Sequence, residues 1–214
     1  MSVVCLIDYG SGNVHSARKA LLHAASEAGR GQEVVLSSDP ETIRSADRLV
    51  LPGVGTPKPA LAGLAERNLG EALDEAVTKK GAPIMGICLG MQLMCETLNE
   101  YGQHKGLGWI PGRSVHLTDL GVTERTPHMG WAQVTPKEGV ASPLSDIGGR
   151  LWFYYAHSFV VQLDDAEHQA ASSTHGAPFT AAILKDNIFA CQFHPEKSQA
   201  KGEKVLERFV EWEP

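Results

Sequence analysis

The 214-residue sequence lacks an excess of positive charge and contains few cysteines. Its 19 basic and 25 acidic residues give a formal net charge of −6, so a nucleic-acid groove or a polybasic membrane anchor is not expected as its main function. The four cysteines lie in apolar segments without CxxC spacing, which argues against a zinc site or a disulfide framework. We therefore expect reduced thiols, no metal, no cofactor, and small molecules or another protein as partners.

Export and membrane signals are also missing from the sequence. The first residues, MSVVCLIDYG, contain no basic segment, and no uncharged apolar run approaches the roughly 20 residues of a membrane span. No repeat or low-complexity linker divides the chain. These absences predict a cytoplasmic protein without membrane partners, folded as one domain over residues 1–214.

The first half of the chain alternates short apolar runs with helical patterns. The runs show little polar alternation, which is typical of strands covered on both faces in a parallel sheet. Asn13 and Gly29 bracket one helical pattern as its caps, and residues 61–80 are predicted to form a crossover helix. The predicted strands of this half are residues 3–8, 33–36, 48–53 and 83–88.

The second half is richer in strand-like segments, which Gly, Pro and Asp turns separate. A helix from about Gly202 to Trp212 is predicted near the end. Together the halves predict an α/β fold: a mixed, mostly parallel sheet flanked by helices, with an antiparallel part in the C-terminal half. The strand-like segments are residues 113–117, 130–136, 151–163, 179–184 and 188–193.

The segment GICLGMQ (86–92) places Cys88 between two glycines where an apolar strand meets a predicted helix. G-x-C-x-G is the pattern of a nucleophile elbow, in which small neighbours let the chain bend sharply. Apolar residues recur at helical spacing over 91–98, and a helix N-terminus favours a thiolate. A buried core cysteine fits the pattern equally well. The cysteines expected in the core are Cys5, Cys95 and Cys191.

A nucleophilic cysteine needs a base, and the segment CQFHPEKS (191–198) contains the best-placed histidine. Pro195 favours extended geometry at His194, and residues two apart in an extended segment project to the same side. Glu196 can then orient the imidazole while the other ring nitrogen faces the thiol. The alternative is a turn with solvated side chains at the end of a strand.

Two glycine turns follow apolar strands. LPGVG (51–55) ends in a Gly-x-Gly turn whose N–H groups can bind an anion or an oxyanion. YGSGN (9–13) begins like a dinucleotide fingerprint, but both turns lack the third glycine of that motif. A simple tight turn is the alternative in each case.

In combination, GICLGMQ, LPGVG and QFHPEKS resemble the triad class of glutamine amidotransferases. Within that class, DYGSGN (8–13), PHMGW (127–131), HSF (157–159) and the Lys-Ser pair after HPE resemble the glutaminase subunits of imidazole glycerol phosphate synthases. The resemblance extends from Asp8 to Ser198, essentially the whole chain.

The resemblance implies hydrolysis of glutamine to glutamate and ammonia through a cysteine thioester. Cys88 would be the nucleophile, His194 the proton shuttle and Glu196 the residue that orients the histidine. The residues expected to bind the oxyanion are Leu89, through its N–H, and the turn Gly53, Val54 and Gly55. The residues expected to hold the glutamine α-groups are Gln92, Glu100, Ser158 and Phe159.

The resemblance also implies a partner, a β/α-barrel cyclase subunit that receives the ammonia. This cyclase makes imidazole glycerol phosphate and the aminoimidazole carboxamide ribonucleotide in histidine biosynthesis. PHMGW has no obvious role in glutamine hydrolysis, and it is either a buried strand start or part of the contact with the cyclase. The residues expected at that contact are Asn13, Pro127, His128, Met129, Trp131 and Lys197.

Three alternatives remain open at this point. Another triad glutaminase, of the anthranilate or pyridoxal-phosphate-synthase type, would share Cys88, His194 and Glu196 but not PHMGW or DYGSGN. An intact triad argues against a catalytically silent, amidotransferase-like binding module. A cysteine peptidase or γ-glutamyl hydrolase on the same scaffold would act without a partner.

Overall fold

The computed structural model describes residues 2–10 and 13–214, so Ser11 and Gly12 of the DYGSGN motif lie outside the described residues. The helices of this part are α1 (Val14–Ala28), α2 (Pro40–Ser45), α3 (Pro57–Glu66), α4 (Leu69–Asp74), α5 (Leu89–Leu93) and α6 (Gln199–Glu211). The strands are β1 (Val3–Ile7), β2 (Glu33–Ser37), β3 (Arg48–Leu51), β4 (Ile84–Ile87), β5 (Cys95–Leu98), β6 (His104–Lys105), β7 (Ile110–His116), β8 (His128–Pro136), β9 (Leu151–His157), β10 (Phe159–Leu163), β11 (Gln169–His175), β12 (Ala177–Lys185) and β13 (Ile188–Cys191).

The larger sheet has nine strands in the order β2-β1-β3-β4-β13-β12-β11-β8-β9. The pairs from β2 to β13 are parallel, and those from β13 to β9 are antiparallel. The predicted α/β fold with an antiparallel C-terminal part is therefore confirmed. The parallel arrangement brings the ends of β4 and β13 to the same edge of the sheet, where the candidate site lies.

The parallel strands are buried on both faces because helices cover each side. Along β1, Val4 and Leu6 pack into a cluster that includes residues of α1 and α6. Cys5 and Ile7 point the other way, into a cluster with residues of α2 to α5. This alternation follows from the two-residue period of a strand. Cys5, Cys95 and Cys191 are all buried free thiols, as expected.

Helix α1 begins and ends where the sequence predicts. The Asn13 side chain accepts a hydrogen bond from the Ser16 N–H, and Gly29 adopts the left-handed conformation with φ of 67°. In the part of the chain that the structure describes, no helix is long and apolar enough to cross a membrane.

The predicted continuous helix over residues 61–80 is wrong. Helix α3 already begins at Pro57, where a proline suits the first helical turn. Asn68 then adopts a left-handed conformation with φ of 55° and separates α3 from α4. The segment Glu75–Lys79 continues α4 as a turn of π-helix. The apolar spacing gave no sign of this break, because both short helices bury apolar residues in the same core cluster.

The predicted helix over residues 91–98 is also wrong beyond its first turn. Helix α5 ends at Leu93, and Cys95–Leu98 forms β5, which pairs with β7 and β6. Met91, Met94, Cys95 and Leu98 are fully buried. Because burial on every side makes these residues apolar in either conformation, helical spacing could not distinguish a helix from a strand.

A second sheet of four strands, in the order β10-β7-β5-β6, was not predicted. The run over residues 151–163 was expected as one strand-like segment, but it divides at Ser158 into β9 of the larger sheet and β10 of the smaller sheet. The last helix begins at Gln199 instead of Gly202. The division at Ser158 places residues 157–159 beside the candidate site.

Candidate active site

Cys88 occupies a sharp turn between β4 and α5. Its backbone has φ of 54° and ψ of −108°, a conformation that residues other than glycine rarely adopt. A Cβ atom on Gly90 would lie 2.0 Å from the Leu51 carbonyl oxygen, and one on Gly86 would lie 2.9 Å from the Met91 nitrogen. Both glycines of G-x-C-x-G are therefore required by close backbone approach. The turn has the strand–turn–helix geometry of a nucleophile elbow.

His194 reaches the cysteine because its segment follows the strand next to β4. The Cys88 N–H donates to the Cys191 carbonyl oxygen over 2.8 Å, which fixes the elbow against the end of β13. The Ser198 hydroxyl donates to the His194 carbonyl oxygen over 2.6 Å and accepts from the Tyr154 N–H over 2.9 Å. These bonds hold the HPE segment between β13 and β9.

The imidazole of His194 is held between the thiol and a carboxylate. Its Nδ1 atom lies 2.8 Å from Glu196 Oε1, and the two side chains are 1% and 4% exposed. Burial alone would lower the pKa of His194, but hydrogen bonds and charge interactions with Cys88 and Glu196 outweigh it and raise the pKa to about 10. Since Nδ1 is occupied by Glu196, Nε2 is the nitrogen that faces the sulfur. The arrangement favours the protonated, imidazolium form of His194.

A cavity of about 400 Å³ opens above the cysteine. Its walls bring together eleven of the predicted residues, and Glu196 lies behind His194. The size suits one amino-acid substrate. The predicted residues that line it are Val54, Gly55, Cys88, Leu89, Gln92, Glu100, Pro127, Ser158, Phe159, His194 and Lys197.

The predicted oxyanion turn lies directly against the elbow. A Cβ atom on Gly53 would approach the Gly90 nitrogen to 2.6 Å and the Leu89 Cβ to 2.7 Å. Gly53 is thus needed for close packing, and it does not line the cavity, whereas Val54, Gly55 and Leu89 do. Gly55 has φ of 91°, a left-handed value that glycine adopts without strain.

The predicted substrate-binding residues form one wall of the cavity. Gln92 is 4% exposed, and its Nε2 donates to the Phe159 carbonyl oxygen over 3.0 Å and to Gln192 Oε1 over 3.2 Å. Only the amide oxygen of Gln92 is then left to accept from a substrate. Burial raises the pKa of the Glu100 carboxyl in the same wall.

The structure reveals two site residues to which sequence reasoning gave no role. Gln192 is fully buried, and its Nε2 lies 3.5 Å from Cys88 Sγ. His157 lines the cavity, and its Nδ1 donates to the Phe159 carbonyl oxygen over 3.0 Å. The alternation expected for His194 and Glu196 is wrong, because Pro195–Lys197 forms a 3-10 helix and Glu196 reaches His194 through that turn. The proximity of Gln192 to the sulfur was therefore not predictable from an extended segment.

The residues expected at a partner contact fall into two groups. Met129 is 65% exposed and Trp131 is 43% exposed, and Asn13 and Lys197 are also exposed. His128 differs from the expectation because its side chain points inward. Its Nδ1 lies 3.2 Å from His157 Nε2, and its ring stacks on Tyr155 and His175.

Comparison with known proteins identifies the family. The model of the family described as glutamine amidotransferase class-I matches residues 5–212. Imidazole glycerol phosphate synthase subunit HisH of Caulobacter vibrioides is 42% identical over 214 residues and 100% of both chains. That of Methylococcus capsulatus is 42% identical over 219 residues, covering 100% of this chain and 98% of the relative. A solved structure described as a glutamine amidotransferase has a TM-score of 0.70 at 15% identity, with 97% of each chain covered.

The family match covers the elbow at Cys88 and the segment that contains His194 and Glu196. The HisH relatives cover the whole chain, so they favour this subfamily over the other amidotransferase types that the sequence left open. The likeness to the solved structure shows the shared fold alone. The chain belongs to the class-I glutamine amidotransferases and, within them, to the HisH family of glutamine-hydrolysing subunits of imidazole glycerol phosphate synthase.

Proposed function

We propose that Cys88, His194 and Glu196 form the catalytic triad of this glutaminase. The observation that carries the proposal is the convergence of the three side chains: Cys88 and His194 line one cavity, and Glu196 lies behind His194. The Nδ1 atom of His194 lies 2.8 Å from Glu196 Oε1 on one side, and on the other side the interaction with Cys88 helps to raise the pKa of His194 to about 10. This is the arrangement of nucleophile, base and orienting carboxylate that covalent acyl transfer requires.

The first half of the reaction forms a thioester. The Cys88 thiolate attacks the side-chain amide carbon of glutamine, and the carbonyl oxygen becomes an oxyanion. His194, protonated in the resting state, gives its proton to the amide nitrogen as the carbon–nitrogen bond breaks. Ammonia leaves, and a γ-glutamyl thioester remains on Cys88.

The second half restores the enzyme. Neutral His194 takes a proton from a water molecule, whose oxygen attacks the thioester carbonyl. The carbon–sulfur bond breaks, glutamate leaves, and the thiolate and imidazolium are formed again. The sum is glutamine plus water giving glutamate plus ammonia. Glu196 keeps the imidazole in one orientation during both proton transfers.

The neighbouring backbone supplies the electrostatic part of the proposal. The Leu89 N–H at the start of α5 and an N–H of the turn Gly53, Val54 and Gly55 would bind the oxyanion. Gln92, Glu100, Ser158 and Phe159 would hold the α-amino and α-carboxylate groups of glutamine. The placement of most of these residues around one cavity supports these roles.

We further propose that the ammonia passes to a β/α-barrel cyclase subunit, which forms imidazole glycerol phosphate and the aminoimidazole carboxamide ribonucleotide. The HisH relatives are named as subunits of a synthase, which supports a partner. At the cavity mouth, the Lys197 ammonium lies 5.9 Å from the Tyr154 ring centre, and Trp131 packs edge-on against Tyr154. Exposed aromatic and cationic groups of this kind are common in protein interfaces.

Binding measurements with the cyclase subunit of the same pathway test the partner surface. Trp131→Ala should weaken the association by about 10- to 100-fold, as the loss of a central aromatic side chain does at other interfaces. Leu22→Ala is the matched control, because Leu22 on α1 is 42% exposed and Trp131 is 43% exposed. Equal affinities of both variants and the unsubstituted chain would contradict a contact at Trp131.

A further inference from the structure

A continuous hydrogen-bonded chain leads from β10 to the sulfur of Cys88. The Phe159 carbonyl oxygen accepts from Gln92 Nε2 over 3.0 Å, and Gln92 Nε2 also lies 3.2 Å from Gln192 Oε1. Gln192 Nε2 in turn lies 3.5 Å from Cys88 Sγ. The family resemblance gave Gln192 no role, and the triad mechanism does not use it.

The direction of each bond in this chain is fixed by the backbone carbonyl at its start. A carbonyl oxygen only accepts, so the Gln92 atom beside the Phe159 oxygen must be the amide nitrogen. That nitrogen donates its second hydrogen to Gln192, whose facing atom must therefore be its oxygen. The other end of the Gln192 side chain, which faces the sulfur, is then an N–H donor.

The position of Gln192 is as firmly held as its orientation. The residue is fully buried, and its backbone N–H donates to the Ala181 carbonyl oxygen of β12 over 2.9 Å. It directly follows β13 and precedes His194 by two residues, so both side chains reach the same cysteine from the segment after that strand. A buried amide with both ends bonded is rigid, and it meets the sulfur without reorganising.

We infer that Gln192 stabilises the thiolate form of Cys88 and fixes the direction of its sulfur for attack on glutamine. The amide N–H cannot take up a proton, so its hydrogen bond favours the anion in every protonation state of His194. This matters most when the thioester breaks, because sulfur leaves as a thiolate after His194 has taken its proton from water. The inference rests on the proposed role of Cys88 as the nucleophile.

Alkylation of Cys88 by iodoacetamide, followed on its peptide by mass spectrometry between about pH 6 and about pH 9, tests this role. Gln192→Met keeps the length of the side chain and removes the donor. We expect its alkylation rate at about pH 7 to fall about tenfold and its pH profile to move to higher pH. The titratable groups around the sulfur or its cavity are His194, Glu196, Cys191, His157, Glu100 and Lys197.

Gln192→Glu is the second variant, and it keeps the test decisive if Gln192→Met does not fold. Its carboxylate places negative charge beside the sulfur, so the loss of alkylation rate should be larger, on the order of 10²-fold. In glutaminase assays both variants should lower kcat, with a smaller change in KM for glutamine. A merely structural role would lower stability and leave the pH profile of alkylation unmoved.

Asn187→Leu is the matched control at the other end of β13. The Asn187 amide donates to the Val77 and Ala82 carbonyl oxygens over 2.9 and 2.8 Å, so its loss removes buried hydrogen bonds far from the sulfur. We expect lower stability and an unchanged alkylation profile. If folded Gln192→Met or Gln192→Glu had the same alkylation rate and pH profile at Cys88 as the unsubstituted chain, the inference would be overturned. Failure of the proposed nucleophile would instead appear as retained glutaminase activity in Cys88→Ala.

Discussion

The Nδ1 atom of His194 lies 2.8 Å from Oε1 of Glu196, within a pair of side chains that are almost completely buried. A buried histidine without an anion would lose its proton, because burial disfavours the charged form. Here the pKa of His194 is raised to about 10 by its bonds to Cys88 and Glu196, which outweigh burial. The interactions with Cys88 and Glu196 together therefore keep His194 protonated, so that it can give its proton to the leaving ammonia.

Replacing Glu196 by glutamine should lower the pKa of His194. The substitution removes a negative charge that favours imidazolium, so the titration midpoint falls from about 10 toward the ordinary value near 6.5. NMR of labelled histidine rings measures this midpoint. Glu203→Gln is the control, because Glu203 forms a similar pair with His23 at the surface, 3.9 Å apart. An unchanged His194 midpoint in Glu196→Gln would show that the carboxylate does not hold the proton.

The turn at Gly55 should control the glutaminase rate. Gly55→Ala places a side chain at φ of 91° with no atom within 4 Å of the new Cβ, so the strain acts on the backbone alone. We expect kcat in the cyclase complex to fall by about 10²–10³-fold, which is the cost of losing one oxyanion donor. Gly31→Ala is the control, since Gly31 has φ of 68° and equally open space but lies far from the site.

The same turn should respond to the partner. We expect the isolated chain to hydrolyse glutamine slowly, and the complex with the cyclase and its nucleotide substrate to be faster by about 10²–10³-fold, as the N–H turns toward the oxyanion. Glutaminase rates of the isolated chain, the complex and the liganded complex measure the effect. Equal rates in all three, or equal losses in Gly55→Ala and Gly31→Ala, would contradict a switch at this turn.

Acid should destabilise the fold through the buried histidines of β8 and β9. Burial, with a smaller contribution from neighbouring histidines, lowers the pKa of His157 to about 3 and of His128 to about 4. The unfolded chain binds these protons near pH 6.5, so stability falls as the pH drops from about 6.5 toward 4. Urea unfolding across this range measures how steeply the free energy of unfolding falls with pH. His128→Gln should make this dependence shallower. A slope unchanged by His128→Gln would contradict a neutral, buried His128.

The sequence predicted the parts of the site that local rules determine. The glycines around Cys88 are dictated by close backbone approach, and Pro195 restricts His194, so both signals lie in short segments. The caps at Asn13 and Gly29 follow from the same kind of local chemistry. The convergence of Cys88 with His194 was predictable because strands of a parallel sheet end at a common edge.

Long-range pairing explains what could not be predicted. Cys95–Leu98 forms a strand because β7 provides its backbone hydrogen-bond partners. No residue within the segment indicates this pairing. Ser158 divides two strands because they join different sheets, although both are apolar. The inward orientation of His128 depends on His157 and His175, which lie far away in the sequence.

Glutamine-dependent synthesis by the complex of Cys88→Ala with the cyclase tests the central claim most directly. Cys5→Ala is the matched control, because Cys5 is also buried but lies outside the cavity. We expect Cys88→Ala to lose at least about 10³-fold of the glutamine-dependent rate, as loss of a nucleophile does elsewhere, while the rate with added ammonium salt stays that of the unsubstituted complex. Retained glutamine-dependent synthesis in Cys88→Ala would contradict the account.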